Sequence, residues 1–153
     1  MTAELNRREA LMLGVAGALS IGLVSEQALA QAAGNDAKEM IEKFTGGKKP
    51  ADGKVSLDLP EIAENGNTVP ITVKVESPMS DADYVADVLI VADGNPRGGI
   101  ATFHFTPLSG VAEANTRIRL ATTQNIIAVA KTNKGEFFTA SKQVKVTIGG
   151  CGG

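Results

Sequence analysis

From Val55 onward, apolar residues recur at every second position in short runs, and turn residues separate the runs. A period of two puts alternate side chains on opposite faces of an extended chain, so each run describes a strand with one buried face. Val55, Leu57 and Leu59 form the first run, and Pro60 ends it. Asn65-Gly66-Asn67 is a turn, after which Val69, Ile71, Val73 and Val75 alternate. Tyr84 to Ala92 begins with alternation, then closes on the unbroken run Val88-Leu89-Ile90-Val91-Ala92. Asp93-Gly94-Asn95-Pro96 is a further turn. Phe103 and Phe105 then share one face, with Thr102, His104 and Thr106 on the other, and Pro107 to Gly110 breaks that strand. Ile118 and Leu120 oppose Arg117 and Arg119, and Ile126 to Ala130 is a second apolar run. Asn133-Lys134-Gly135 reads as a hairpin turn into a strand from Phe137. Val144, Val146 and Ile148 finish the pattern, with Lys145 and Thr147 outward.

Seven or eight short strands spaced by roughly 8–12 residues predict an all-β fold, an immunoglobulin-like antiparallel β-sandwich. The chain has one cysteine and no tryptophan, which excludes an antibody-type domain and any disulfide framework. A strand with one wet face alternates, so the unbroken run Val88–Ala92 calls for cover on both sides. Two covers are open: an N-terminal helix of the same chain, or a second chain. That helix is expected after Asp36, where Glu39 completes a capping-box pattern. Ala37, Met40, Ile41 and Phe44 follow on one helical face, and Gly46-Gly47 stops it.

Residues 1–30 read as an export signal. Arg7 and Arg8 precede an apolar run from Leu11 to Val24, and Ala28-Leu29-Ala30 offers small residues for cleavage before Gln31. The run is shorter than the ~20 residues a membrane span needs. The paired arginines resemble a twin-arginine signal, although Asn6 and Ala10 depart from that pattern. A periplasmic location is therefore the expectation. It divides the chain into a signal peptide (1–30), a sandwich domain (31–148) and a flexible GGCGG arm (149–153).

The search for chemistry narrows to that arm. Net charge is −2, with 15 basic and 17 acidic residues interspersed, so neither nucleic acid nor an anionic membrane is indicated. His104 is the sole histidine and stands outward with threonines, and no zinc-type spacing exists. Gly94-Asn95-Pro96-Arg97-Gly98-Gly99 lacks the lysine and following helix of a phosphate loop, and Asp81, Asp83 and Asp87 read as a solvated face. No metal site, cofactor or catalytic set is expected. Cys151 stands between Gly149-Gly150 and Gly152-Gly153. Glycine lacks a Cβ and resists ordering, so these four read as a thin, mobile tether for the thiol. Such a thiol either travels to the active sites of other proteins or cross-links two chains. Nothing in the arm lowers its pKa, so a carrier thiol would be activated by whichever partner receives it.

The ending from Val144 to Gly153, together with Ala101-Thr102-Phe103-His104-Phe105-Thr106-Pro107-Leu108-Ser109-Gly110 and Thr116-Arg117-Ile118-Arg119-Leu120-Ala121, resembles the SoxY family of sulfur carriers. The resemblance implies an immunoglobulin-like sandwich, export to the periplasm and a heterodimer with a small β protein, SoxZ. It also implies a cycle carried on Cys151. A haem c enzyme links thiosulfate to the cysteine, a dimanganese hydrolase releases sulfate, and a sulfane dehydrogenase oxidises the sulfur that remains as a persulfide. The carrier itself holds no cofactor and is not an enzyme. Two rivals stand beside it. One is an exported immunoglobulin-like binding module cross-linked through its tail cysteine. The other is a ubiquitin-like carrier, against which the export signal, the many strands and the cysteine within the motif all speak.

Overall fold

In the computed structural model, which describes residues 35–150, the chain begins with helix α1 (Ala37–Thr45) and continues as strands. These are β1 (Ala51–Asp52), β2 (Val55–Asp58), β3 (Ile62–Asn65), β4 (Val69–Val75) and β5 (Val85–Ala92). After them come β6 (Gly99–His104), β7 (Ala112–Ile118), β8 (Gln124–Thr132) and β9 (Phe137–Ile148), with one 3-10 turn at Pro107–Ser109. The expected export signal at 1–30, and Cys151, Gly152 and Gly153, lie outside the described residues.

The strands form two sheets. One runs β1-β9-β8-β5-β6, with β3 also paired to β9, and the other runs β2-β4-β7. The all-β sandwich expected from the alternation is therefore present. Its antiparallel character is not complete, because β1 and β3 both run parallel to β9 along its outer edge. Neither gave a period-two signal. β1 has only two residues, and in β3 only Ala63 turns a buried side chain inward. The strand expected from Phe137 onward and the closing Val144, Val146, Ile148 pattern belong to one strand of 12 residues, Phe137–Ile148.

The core lies between the sheets. Val69, Ile71, Val73 and Val75 of β4 meet Val88, Ile90 and Ala92 of β5, joined by Ile126, Ala128 and Ala130 of β8 and by Leu120 and Val144. The alternate residues of the unbroken run, Leu89 and Val91, point to the other side. There Ala37, Met40, Ile41 and Phe44 of α1 cover them, with Ile127. The second cover is thus the chain's own helix. Burial of this face needs no partner chain. A bulge at Ala86, where the register shifts between Val85 and Asp87, lets Val85 share the core face with Val88.

The helix is seated differently from the expected capping box. Asp36 makes no side-chain cap, and Glu39 pairs instead with Lys43 at 2.8 Å. The Asp36 carboxylate accepts the Gly98 amide at 2.6 Å, while Asn35 Oδ1 accepts the Ala37 amide at 2.9 Å. A Cβ on Gly98 would lie 2.4 Å from the Ala37 nitrogen. Gly98, and Gly99 against Met40, therefore let α1 lie close to this part of the sheet, which is a packing role.

Leu89→Ala tests this assignment. With Leu89 buried under α1, the substitution should cost the isolated chain about 2–5 kcal/mol in urea unfolding. Unchanged stability, with loss appearing only in association with another protein, would mean that the face is an interface after all.

Candidate functional site

The sequence points to Cys151, and the chain reaches it through the end of β9. Beyond the last β8 pairing, at Gln124 and Val144, this end of β9 lies between two segments. On one side β3 pairs with Lys145–Ile148. On the other, Thr123 Oγ1 accepts the Val146 amide at 3.0 Å. The strand is therefore held on both edges until it ends.

The following glycines are held too. The Gly66 amide donates to the Ile148 carbonyl at 2.8 Å, and the Leu120 amide donates to the Gly66 carbonyl at 2.8 Å. The Gly150 amide in turn donates to the Leu120 carbonyl at 2.9 Å. Three distant segments are thereby joined by backbone alone. A Cβ on Gly149 would lie 2.2 Å from the Ala121 oxygen, and one on Gly150 would lie 2.7 Å from the Gly66 oxygen. Real Cβ atoms do not approach so closely, so these positions need glycine for space. Gly149 and Gly150, expected to belong to a free tether, instead lie against neighbouring backbone at the root of the segment that carries Cys151, and Gly150 is hydrogen-bonded there.

A buried amide pair stands behind this root. Asn95 Nδ2 donates to the Arg119 carbonyl at 2.9 Å, and Asn95 Oδ1 accepts the Ala121 amide at 2.9 Å. The two bonds bracket Leu120, whose own side chain is fully buried. Gln124 Nε2 donates to the same Asn95 oxygen at 2.8 Å, and Gln124 Oε1 accepts the Gly94 amide at 2.8 Å. Among the described residues no buried side-chain nitrogen or oxygen lacks a partner. Asn95, Gln124, Gly66 and Leu120 had no distinguishing signal in the sequence. Asn95 reads as an ordinary turn residue, and only its burial reveals the bracket.

The other candidates fall elsewhere. His104 is exposed on β6 and its Nδ1 lies 2.6 Å from Asp87 Oδ1 on the neighbouring strand, so the acidic cluster is divided. Asp83 pairs with Lys134 at 3.0 Å. No group of three or more His, Cys, Asp or Glu that could hold a metal ion occurs among the described residues.

The described residues define a two-sheet β-sandwich with a helix over one sheet and a glycine-rooted segment that leads toward the chain's sole cysteine. The family model for the sulfur oxidation protein SoxY matches residues 41–151, and the chain belongs to that family. The structure is similar to that of the sulfur carrier protein SoxY from Chlorobium limicola f thiosulfatophilum, with 30% sequence identity and a TM-score of 0.60. That match covers 72% of this chain and 96% of the other. A superoxide reductase (neelaredoxin) from Ignicoccus hospitalis has a TM-score of 0.56 at 17% identity, covering 61% of this chain and 80% of that one. At that identity the likeness shows a common fold alone. No curated protein matches the sequence.

Asn95→Ala should destabilise the protein by about 1–3 kcal/mol, since it strands the Arg119 carbonyl and the Ala121 amide and removes one partner of Gln124. Gln143→Ala, at an exposed side chain of β9, should stay within about 0.5 kcal/mol. Urea unfolding of the two variants beside the wild type checks both, and equal small losses would deny the bracket its role.

Proposed function

We propose that this chain is a periplasmic carrier protein that holds thiosulfate-derived sulfur covalently on Cys151 and presents it to sulfur-oxidising enzymes. The observation that carries the reading is membership of the SoxY family over a match that extends to Cys151, the only cysteine in the chain. A solved relative at 30% identity is described as a sulfur carrier protein.

Loading joins the Cys151 sulfur to the outer sulfur of thiosulfate. The thiol loses its proton, an S–S bond forms, and two electrons leave to the haem c of the partner enzyme. Hydrolysis of the resulting S–SO3 group adds water, releases sulfate and leaves a persulfide on Cys151. In the proposed cycle a dimanganese hydrolase catalyses that step, and a sulfane dehydrogenase oxidises the persulfide sulfur further. This chain contributes the acceptor sulfur and no catalytic group. A carrier of this kind works as a heterodimer with a SoxZ-like small β protein. Residues 1–30 serve as the export signal, of the twin-arginine type if the Arg7-Arg8 pair is used.

Cys151→Ser tests the assignment. A serine hydroxyl is far less ionised than a thiol at neutral pH and cannot form the S–S bond. Incubation with radiolabelled thiosulfate and the haem c enzyme should label the wild type and leave the variant blank, with both unfolding alike. Label retained by the variant would end the carrier reading. A wild type recovered only as a reductant-sensitive dimer would favour the cross-linked binding module.

A further inference from the structure

We infer that Gly66 is a positioning residue for Cys151, because the backbone clamp it forms with Leu120 and Gly150 sets where the carrier segment leaves the sandwich. The inference rests on the carrier reading, since a clamp positions a thiol only if that thiol is used.

Gly66 is buried at the end of β3, and its φ lies outside the left-handed region that demands glycine. Alanine could adopt the same backbone. What forbids it is space: a Cβ there would lie 2.1 Å from the Leu120 oxygen and 2.7 Å from the Gly150 nitrogen. Both are backbone atoms, so no rotamer change relieves the contact. Both polar backbone groups of Gly66 are also engaged, its amide with Ile148 and its carbonyl with Leu120. With the Gly150–Leu120 bond the circuit closes, running Ile148 to Gly66, Gly66 to Leu120, Leu120 to Gly150, and back along the chain through Gly149.

Leu120 cannot yield to relieve a strained circuit. Its side chain is locked in the core, and Asn95 holds the peptide units on either side. Consecutive Cα atoms are about 3.8 Å apart, so a closed clamp at Gly150 fixes the point from which Cys151 extends to within one residue. A tether free from Ile148 onward would let the thiol stand roughly 10 Å out. A partner enzyme therefore meets the thiol at one end of the body, beside the 65–68 turn and the 119–123 segment. Misplacing a reacting group by about 1 Å can cost up to ~100-fold in rate. A fixed exit point has kinetic value for that reason.

The test uses Gly66→Ala in the mature protein, with Gly149→Ala as a second route into the clamp. A Cβ at position 149 would lie 2.2 Å from the Ala121 oxygen, so it breaks the packing from the opposite side. Hydrogen exchange at the Gly150 amide should be protected in the wild type and fast in both variants. Alkylation of Cys151 by a small reagent should keep its wild-type rate, since that reagent needs no docking. Loading from thiosulfate by the haem c enzyme should lose about tenfold in kcat with KM little changed, because the body that docks is unaltered while the thiol is misplaced. An unprotected Gly150 amide in the wild type would overturn the clamp. Fast exchange with undiminished kcat in either folded variant would overturn the positioning role alone. A wild type that is never loaded would instead defeat the carrier reading beneath it.

Discussion

Burial of β5 on both faces is the constraint on which the rest of this structure depends. Val88, Ile90 and Ala92 require a second sheet, and Leu89 and Val91 require a layer on the outside. Each large aliphatic side chain so buried contributes roughly 1.5–3 kcal/mol. The helix and the β2-β4-β7 sheet are the two answers to that one demand. The chain leaving β5 passes directly into Gly94 and Asn95, so a strand fixed on both faces delivers a buried amide to a defined place. Asn95 then brackets Leu120, and the Leu120 carbonyl receives Gly150. Covalent and hydrogen-bonded steps thus lead from the buried strand β5 to the residue before Cys151.

A covalent carrier has two opposed needs. Its cargo must enter the active sites of several enzymes, which favours a slim segment without side chains. Its cargo must also arrive where those enzymes expect it, which favours a rigid origin. Glycine serves both, for different reasons at different positions. At Gly66, Gly149 and Gly150 the missing Cβ permits backbones to meet at hydrogen-bonding distance. The same absence leaves the residues around the thiol narrow. The hydrogen bonds of the root are backbone to backbone, so side-chain substitutions that add no Cβ clash leave its donors and acceptors in place.

Much of the sandwich was legible because its core strands carry the period of two without interruption. β4 alternates through Val69, Ile71, Val73 and Val75, and each of the four is buried. The helical face Ala37, Met40, Ile41, Phe44 was equally plain, but its docking partner was not. An unbroken strand such as Val88–Ala92 states that two covers exist and is silent on where they come from. β1 and β3 escaped because a strand added at an edge needs few buried side chains, and Ile62 is in fact exposed. At the site, the sequence identified the cysteine and its glycines by type. It could not distinguish glycine kept for freedom from glycine kept for close approach, since that depends on which segment lies opposite. Gly66 and Leu120 lie more than fifty positions apart, and each holds a partner at the chain's end that is distant from it in sequence.

The claim on which the functional reading stands is that sulfur is carried on Cys151. Intact-mass measurement of the native protein, purified without reductant from cells oxidising thiosulfate, addresses it directly. A carrier should show added sulfane sulfur or thiosulfonate on the fragment containing Cys151, removed by a thiol reductant and missing from cells grown without reduced sulfur compounds. An unmodified chain under both conditions, or one altered at any residue other than Cys151, would contradict it.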